Sequence, residues 1–504
     1  MDFLDPKKSR AHQIRLIVGY VMIAIALGLA TLVLKYHADG YGLKQGEVVQ
    51  NGLVFFSSTP GSADIYINDQ RRDSTNTRMN LQSGTYSVRI GKEGYHDWRR
   101  GLTVEGGSVE HIDYPFLVPN NLAPKEVGTY ASLPTLATQS PDRRWVLVQQ
   151  PGSVRDFDVY DVKDPKKAGS VKTSLTVPET AITAFDGAQT LEAVEWSNDN
   201  DHVLLQHDYD GKTEFLIVSR KTPEESVNLT QKLPLAVGDV PSLQDKKYDK
   251  YFIHNTTTQV LQTATLTDVP TKLLDNVIDY KTYGSDVVEF VTKQNAADGK
   301  VNVVIYQDKQ QYVIRSLNEA PHYVLELSRY SDSWFVTAGS TTENRVYVYK
   351  DPVADLRDDK DSLPTPVDVL KINSPTYVAI SASSQFILAQ NGNDFAAYDV
   401  ENDRTHVYHI DAPMDAPQQH ATWMDGSRIM MVSGARATFF DYDGTNVQTL
   451  VAASPERGFF FDTSYAQLYS LAPSTSLKPA SAATSIPQGQ YSLTATWMRT
   501  ENDR

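Results

Sequence analysis

A loose internal repeat in the C-terminal two-thirds of the chain constrains its fold more than any other feature. Each copy has a strand that enters a polar turn, a second strand that leaves it, and a third strand after a polar loop. The copies lie roughly 30 to 57 residues apart, which brackets the blade lengths of β-propellers. Clear copies start at Thr135, Leu191, Val324, Tyr377 and His420, and weaker copies cover 248–266, 277–306 and 458–471.

This repeat predicts a mainly β fold with a seven- or eight-bladed β-propeller over residues 128–471. A β-sandwich array is the alternative, because repeats of two hairpins occur in both architectures. Residues 472–504 are rich in Ser, Ala, Thr and Pro and are predicted to be a low-complexity tail. Within that tail, residues 491–498 alternate again and are a candidate closing strand for the first or last blade.

One turn of the repeat resembles a known propeller family. Ser140-Pro141-Asp142, just before Trp145, is similar to the S-P-D-G turn of the propeller repeats in periplasmic translocation proteins and their relatives. The resemblance implies a fold and no particular function.

Near the N-terminus, residues 16–34 form an uncharged apolar run. As a helix this run is about 28 Å long, which matches a bilayer hydrocarbon core of roughly 30 Å. Basic residues are concentrated before the run, so residues 1–15 are predicted to be cytoplasmic and everything beyond residue 34 extracytoplasmic. The predicted transmembrane helix includes Leu16, Gly19, Ala24, Gly28 and Leu34.

A cleaved signal peptide is the alternative for this segment, with Gly28 and Ala30 as the small residues before the cut. Residues 32–34 prolong the apolar run past that site, which favours an uncleaved signal anchor. Ala24 and Gly28 have the small-xxx-small spacing that can pair two helices, although the same pattern arises when small residues simply face lipid. Residues 35–51 contain three glycines and no sustained period, so they are predicted to be a flexible spacer.

Residues 52–118 contain short runs with a period of two, separated by turn residues. This pattern predicts a small antiparallel β-sandwich. Residues 119–127 follow as a predicted turn-rich linker.

The ordered turns of this small domain resemble the PEGA domain family. The stretch SSTPGSA leads into its second strand, and later G-x-Y and G-Y turns match the family. The tetrapeptide after which the family is named is imperfect here, because residues 60–63 read PGSA and lack its glutamate. The Thr-Pro that usually follows the second strand is also missing around residues 73–77. The resemblance implies a surface-exposed, non-catalytic module of envelope proteins, in which the matching residues form structural turns. Those residues are Pro60, Gly61, Ser62, Ala63, Gly84, Tyr86, Gly94 and Tyr95.

Composition excludes several classes of function. The 504 residues include no cysteine, which rules out disulfides, thiolate metal sites and cysteine nucleophiles, and favours a bacterial source. The formal net charge is -15, and beyond residue 118 there are 34 basic against 50 acidic residues. A nucleic-acid partner is therefore not expected, because phosphate binding needs a basic surface.

Clusters of carboxylates suggest metal sites, but none fits the calcium-loop pattern, and each falls at a predicted hairpin turn where Asp is favoured. His406 and His409 lie three apart on a predicted strand and point to opposite faces. The sequence has no G-x-S-x-G, H-E-x-x-H or Walker-type loop. No catalytic residue, metal ligand or cofactor is predicted. The clusters are Asp199 with Asp201, Asp208 with Asp210 and Glu214, and Asp441 with Asp443.

These observations predict a non-enzymatic, single-pass protein of the cytoplasmic (inner) membrane that binds or scaffolds envelope partners, protein or glycan, through its propeller. The alternative is a propeller-type hydrolase or lyase acting on a cell-wall polymer, since propeller active sites gather residues from separate blades. The arginine pairs Arg71-Arg72 and Arg99-Arg100 are either a patch for an anionic polymer or a solvated face. The oligomeric state is not predicted.

Overall fold

The computed structural model describes residues 6–38, 41–44, 47–167, 171–358, 362–416, 419–455, 458–474 and 490–504. The chain divides into two compact units, Met1–Asn120 with Asp503 and Asn121–Asn502 with Arg504.

The first unit starts with helix α1 (Pro6–Ala38), which extends past both ends of the predicted apolar span. The sequence predicted a flexible spacer over residues 35–51, and here the structure differs. Residues 35–38 continue α1, and β1 (Tyr41–Lys44) pairs antiparallel with the start of β2 (Glu47–Phe56). Backbone pairing needs no alternation of apolar and polar residues, so the sequence pattern did not reveal this hairpin.

Two sheets complete the first unit, and their facing sides enclose a core that includes Phe56, Ile65 and Trp98. One sheet pairs β2 with β5 and β8, and the other has the order β4-β3-β6-β7. All pairs are antiparallel except β2 with β8, which run parallel, so the predicted antiparallel sandwich contains one parallel pair. The strands are β3 (Asp64–Ile67), β4 (Gln70–Ser74), β5 (Thr77–Gln82), β6 (Gly84–Gly91), β7 (Trp98–Val104) and β8 (Val109–Ile112).

The second unit, as far as its residues are described, consists of eight four-stranded antiparallel sheets. This is an eight-bladed β-propeller, and each predicted repeat copy corresponds to one blade. Blade 1 has β10 (Ala137–Gln139), β11 (Trp145–Gln149), β12 (Asp156–Asp161) and β13 (Lys172–Thr176). Blade 2 has β14 (Gln189–Trp196), β15 (His202–Tyr209), β16 (Lys212–Ser219) and β17 (Val227–Asn228). Blade 3 has β18 (Asp239–Leu243), β19 (Lys250–Asn255), β20 (Val260–Thr265) and β21 (Thr271–Leu274).

Blades 4 to 7 repeat the same order along the chain. Blade 4 has β22 (Asp279–Tyr283), β23 (Val287–Thr292), β24 (Lys300–Gln307) and β25 (Gln310–Asn318). Blade 5 has β26 (Tyr323–Tyr330), β27 (Ser333–Ser340), β28 (Arg345–Lys350) and β29 (Asp368–Lys371). Blade 6 has β30 (Tyr377–Ile380), β31 (Phe386–Asn391), β32 (Asp394–Asp399) and β33 (Arg404–His409). Blade 7 has β34 (Thr422–Trp423), β35 (Arg428–Ser433), β36 (Arg436–Asp441) and β37 (Gln448–Ala452).

Blade 8 joins the two ends of the second unit. It contains β38 (Phe459–Phe461), β39 (Gln467–Pro473), β40 (Tyr491–Trp497) and, on its outer side, β9 (Pro124–Tyr130). Strand β9 starts inside the range predicted as a linker (119–127), and β39 runs past residue 471. The segment 491–498 of the predicted tail contains β40, whereas residues 475–489 lie outside the described residues. Because β40 pairs with both β39 and β9, the outer edge of the last blade is completed by the first strand.

Buried apolar side chains fill the space between successive blades. Leu147 of blade 1 and Leu205 of blade 2 share one cluster, and Tyr469 of blade 8 shares another with Val148 of blade 1. Blades 7 and 8 are joined where Ser470 Oγ donates to the Ala452 carbonyl at 2.8 Å. The last blade therefore packs against the first, and the ring is closed.

The remaining helices are short and lie between strands of the second unit or at its end. The α-helices are α2 (Leu229–Lys232) and α3 (Pro352–Asp358), and the 3-10 helices are Pro165–Lys167, Glu179–Ala181, Pro223–Glu225, Gln244–Lys246 and Glu501–Asp503.

The S-P-D-G-like turn joins the first two strands of blade 1, and its fourth residue, Arg143, has φ 58°. The matching residues of blades 2 and 6, Asn200 and Ser384, both have φ 59°. A left-handed residue at this position is what glycine supplies without strain. The resemblance therefore extends to the backbone, although the glycine itself is replaced.

Candidate functional site

The first strands of the blades lie toward the centre of the ring, where β22 approaches β26 and β26 approaches β30. Their lengths differ around the ring. Strands β14 and β26 each have 8 residues, whereas β10 and β38 have 3 and β34 has 2. Where the short strands of blades 7, 8 and 1 leave the centre less covered, a cavity of about 610 Å³ opens. We call this cavity the mouth.

The mouth is lined by methionine, aromatic and small polar side chains of blades 1, 6, 7 and 8. Its described lining contains no Asp, Glu, Lys or Arg, although the chain has 62 acidic and 47 basic residues. The lining includes Thr138, Gln139, Tyr377, Met414, His420, Thr422, Met430, Met431, Phe459 and Phe460.

A parallel ring pair forms one wall of the mouth. The rings of Tyr377 and His420 are stacked with centroids 4.3 Å apart and an interplanar angle of 4°. Burial lowers the pKa of His420, and the nearby His322 lowers it further. Burial also raises the pKa of Tyr377, with a contribution from the charge of Glu326. Both rings are therefore uncharged at neutral pH.

Two amide side chains, the buried Gln390 and the half-buried Gln139, stabilise the wall through hydrogen bonds. Gln390 is fully buried, and its Nε2 lies 3.1 Å from Met414 Sδ while its Oε1 accepts the Ala421 N–H at 2.9 Å. Gln139 Nε2 donates to the Phe461 carbonyl at 2.7 Å and so links blades 1 and 8. A pocket preorganised in this way can bind an uncharged apolar or aromatic group by stacking and burial.

Blade 2 contains a separate buried network around Glu214. Glu214 accepts hydrogen bonds from the Thr183 N–H at 2.8 Å and from Asn228 Nδ2 at 2.7 Å, and its Oε1 lies 2.9 Å from His207 Nδ1. His207 Nε2 lies 2.8 Å from Gln189 Oε1. Each of these side chains has a partner within the blade, so the network fixes the connection that leads into blade 2.

The predicted transmembrane residues all lie on α1. The stretch His12–Tyr36 is long and apolar enough to cross a membrane, and none of it is buried against the rest of the described chain. A Cβ built at Gly19 or Gly28 would meet nothing within 4 Å. Leu16, Ala24 and Leu34 are exposed, so the whole apolar surface of the helix is uncovered.

The predicted structural turns are distributed over the first unit. Residues 60–63 lie between β2 and β3, and a Cβ at Gly61 would lie 2.7 Å from Asn76 Nδ2, so a larger residue there would have to displace the Asn76 side chain. Gly94 has φ 85° in the turn before β7, while Gly84 and Tyr86 lie within β6. Tyr95 is buried in the core. Among these turn residues, Ser62 also has a left-handed backbone, with φ 56°.

Asp199 and Asp443, two of the carboxylates considered as metal ligands, accept hydrogen bonds at turns. Asp199 Oδ1 accepts the Asp201 N–H at 2.9 Å, and Asp443 Oδ1 accepts the Thr445 N–H at 3.2 Å. The predicted turn position is wrong for Glu214, which is a buried residue of strand β16 and belongs to the network of blade 2. Among the described residues, no group of three His, Asp or Glu side chains could hold a metal ion. His406 and His409 lie on β33, where His409 contacts Asp394 at 2.7 Å.

The arginine pairs of the first unit are partly neutralised within that unit. Arg71 bonds Asp64 at 2.7 Å, and Arg99 bonds Asp97 at 3.0 Å. Arg100 donates to the Tyr114 hydroxyl. These contacts favour the interpretation that the arginine pairs belong to a solvated face and do not form a patch for an anionic polymer.

Sequence patterns did not reveal the residues of the mouth, because they lie on separate strands and connections until the ring brings blades 6, 7, 8 and 1 together. A charged residue within an apolar strand was a usable signal for another buried group. Glu289 interrupts the run VVEFVT of β23 and is fully buried. Neither of its carboxylate oxygens has a hydrogen-bond partner among the described residues.

Residues 51–117 match the family model of the PEGA domain, so the first unit carries a PEGA domain. No curated protein matches the chain. The solved structures similar to it include β-propellers, all at low identity. The Dos1 propeller has 10% identity and a TM-score of 0.45, covering 75% of this chain and 95% of that one.

Two further solved structures have the same low level of similarity. The β-propeller domain of Cps50 (Swd1) from Myceliophteria thermophila has 10% identity and a TM-score of 0.36, covering 65% of this chain and 99% of that one. An oligogalacturonate lyase in complex with manganese has 10% identity and a TM-score of 0.39, covering 76% of this chain and 97% of that one. At such identities the similarity concerns the fold alone.

Proposed function

We propose that this chain is a binding or scaffolding protein of the bacterial envelope, anchored in the cytoplasmic membrane by α1, with its PEGA domain and propeller outside. The mouth of the propeller holds an uncharged apolar or aromatic group of a protein or glycan partner. The observation that supports this proposal is the uncharged, aromatic and methionine-rich lining in a strongly acidic chain. Methionine and aromatic side chains give large contact area and adapt to their ligand.

The proposal includes no catalytic step. Hydrolysis of a glycosidic bond uses a pair of carboxyl groups that flank the bond, and the described lining of the mouth contains neither Asp nor Glu. His420 is the one histidine in that lining. A hydrolase or lyase at this site would need acid and base groups from elsewhere.

Blocking the mouth tests this proposal. Thr422 is exposed on the short first strand of blade 7, so Thr422→Trp fills the mouth without disturbing the core. The full chain in detergent, with and without this substitution, is incubated with solubilised envelope proteins and with wall glycan fragments. A partner retained by the wild type and lost with Thr422→Trp supports the proposal.

The matched control is Thr258→Trp, which makes the same change at an exposed turn of blade 3. A partner that is lost equally with both variants, or retained by both, contradicts binding at the mouth. Release of shortened glycan products by the wild type would contradict the proposal that the protein binds its partners without a catalytic step.

A further inference from the structure

Blades 4 and 5 enclose a second cavity, of about 180 Å³, away from the mouth. It lies where the first strands of these blades end and their second strands begin, between Val287 of β23 and Leu327 of β26. Helix α3 (Pro352–Asp358), which follows β28, crosses this region, and Val353 of α3 forms part of the wall. We call this cavity the interblade pocket.

The interblade pocket is kept open by a fixed wall. The main-chain N–H of Trp334 donates to Asp351 Oδ1 at 2.7 Å, and the indole meets the Tyr283 ring edge to face at 5.0 Å. The guanidinium of Arg357 at the end of α3 is tied to Asp308 at 2.6 Å and to the Tyr312 hydroxyl at 3.1 Å. These contacts hold Trp334 on one side of the pocket and α3 on the other, so the space between them is preorganised.

The size and lining of the interblade pocket define what it can hold. Its lining is mainly apolar, with Val287, Ile305, Leu327, Trp334, Val336 and Val353 as the main contributors. A dry apolar cavity of roughly 150 Å³ is enough to bind benzene, whereas pockets for complete small-molecule ligands span about 300–1,000 Å³. The volume therefore suits one apolar side chain of about phenyl size.

The charged residues at the rim of the pocket determine which residues can flank the apolar side chain that the pocket holds. The polar side chains in the lining are Gln307, Asp351 and Arg357, and Arg357 is paired with Asp308. Asp355 is also exposed on α3, so carboxylates outnumber the one guanidinium at this rim. The chain beyond residue 118 carries 50 acidic against 34 basic residues. An approaching segment with lysine or arginine next to its apolar residue is attracted by this field, and an acidic segment is repelled.

We propose that the interblade pocket binds a phenylalanine-sized apolar side chain, flanked by basic residues, in an extended segment of a partner protein. This site does not depend on the mouth, and it would remain if the mouth had no ligand. It adds a second contact that fixes a protein partner on the propeller. A polysaccharide does not offer such a side chain, so the pocket selects protein partners.

The test uses two fluorescein-labelled peptides, Lys-Lys-Phe-Lys-Lys and Lys-Lys-Ala-Lys-Lys, and the full chain in lipid nanodiscs. Fluorescence anisotropy gives the Kd of each peptide. Burial of a phenyl group predicts at least tenfold tighter binding of the phenylalanine peptide at the same salt concentration. Equal affinity for the two peptides would mean that charge alone holds them, and would overturn the proposal.

Ala354→Trp is the blocking variant, because Ala354 lines the interblade pocket and is exposed on α3. It should reduce the preference for phenylalanine to near unity. Ala297→Trp makes the same change at an exposed turn of blade 4 and should keep the preference. Thr422→Trp should also keep it, which separates this site from the mouth. A preference that survives Ala354→Trp would contradict the proposal.

Discussion

His207 Nδ1 lies 2.9 Å from Oε1 of Glu214, and both side chains are buried within blade 2. Burial pushes the pKa of Glu214 upward, but hydrogen bonds from His207, Thr183 and Asn228 outweigh it and hold the pKa at about 2. A buried carboxylate held this firmly is a structural element of the propeller, and it makes the stability of blade 2 depend on pH.

We expect Glu214→Gln to remove part of the acid sensitivity of the propeller. The pKa of this carboxyl is lowered from 4.5 to about 2 in the folded state, so its stabilisation is present above pH 4.5 and is lost as the pH falls toward 2. The stabilisation is roughly 3 kcal/mol. Denaturant unfolding at pH 3 and pH 7 measures it. Glu179→Gln, at an exposed carboxylate, should leave the difference in the free energy of unfolding between pH 3 and pH 7 unchanged.

Glu289 should affect the pH dependence of the free energy of unfolding in the opposite direction to Glu214. Burial, followed by the charge of Glu326, raises the pKa of Glu289 well above its ordinary value, so the folded state keeps a proton that the unfolded chain releases above pH 4.5. The free energy of unfolding should therefore fall as the pH rises above 4.5 because of this group. Glu289→Gln should be more stable than the wild type at pH 7. A variant less stable than the wild type at that pH would contradict a protonated Glu289, and Glu319→Gln on the surface is the control.

The internal repeat of strands and polar turns was enough to predict the propeller, because every blade is built from the same succession of strands. The number of blades could not be fixed in the same way. Blade 8 takes β9 from the start of the unit, and residues 474–490 separate its β39 and β40. Spacing along the chain is therefore irregular where the ring closes. The apolar span and the PEGA turns are local patterns, so they were readable from short stretches.

The mouth and the interblade pocket were beyond prediction for a different physical reason. Tyr377 and His420 stack although they belong to the first strand of blade 6 and the connection before blade 7. Their contact depends on the angle between blades, which no periodicity encodes. Glu289 was the exception, since a carboxylate inside an apolar strand is visible in the sequence.

Closure of the ring should depend on the packing of β40. Leu493 is fully buried between blades 8 and 1. Leu493→Ala should lower the free energy of unfolding by about 2 to 5 kcal/mol, because it leaves a cavity at this junction. Thermal unfolding of the full chain in detergent measures the loss. Val407→Ala, at a position with 64% exposure, should change stability little, and equal effects of the two substitutions would contradict the role of β40.

A hairpin turn in blade 7 offers a stabilising substitution. Gly434 and Ala435 have φ of 58° and 54°, and only glycine adopts such angles without a steric cost. Ala435→Gly should raise the free energy of unfolding by about 0.5 to 1 kcal/mol. Ala297→Gly, where the backbone is not left-handed, should lower it slightly through the greater entropy of the unfolded chain. A loss of stability with Ala435→Gly would contradict the strained turn.

The proposed topology can be tested with single cysteines, because the natural chain has none. Val237 is 98% exposed in the propeller, so Val237→Cys should react with a membrane-impermeant maleimide added to spheroplasts. His12 is the first residue of the stretch His12–Tyr36, and the basic residues around it should hold it at the cytoplasmic side. His12→Cys should therefore react only after the membrane is permeabilised. The reverse pattern would overturn the orientation, and labelling of Val237→Cys in released protein that has lost its N-terminus would show a cleaved signal peptide.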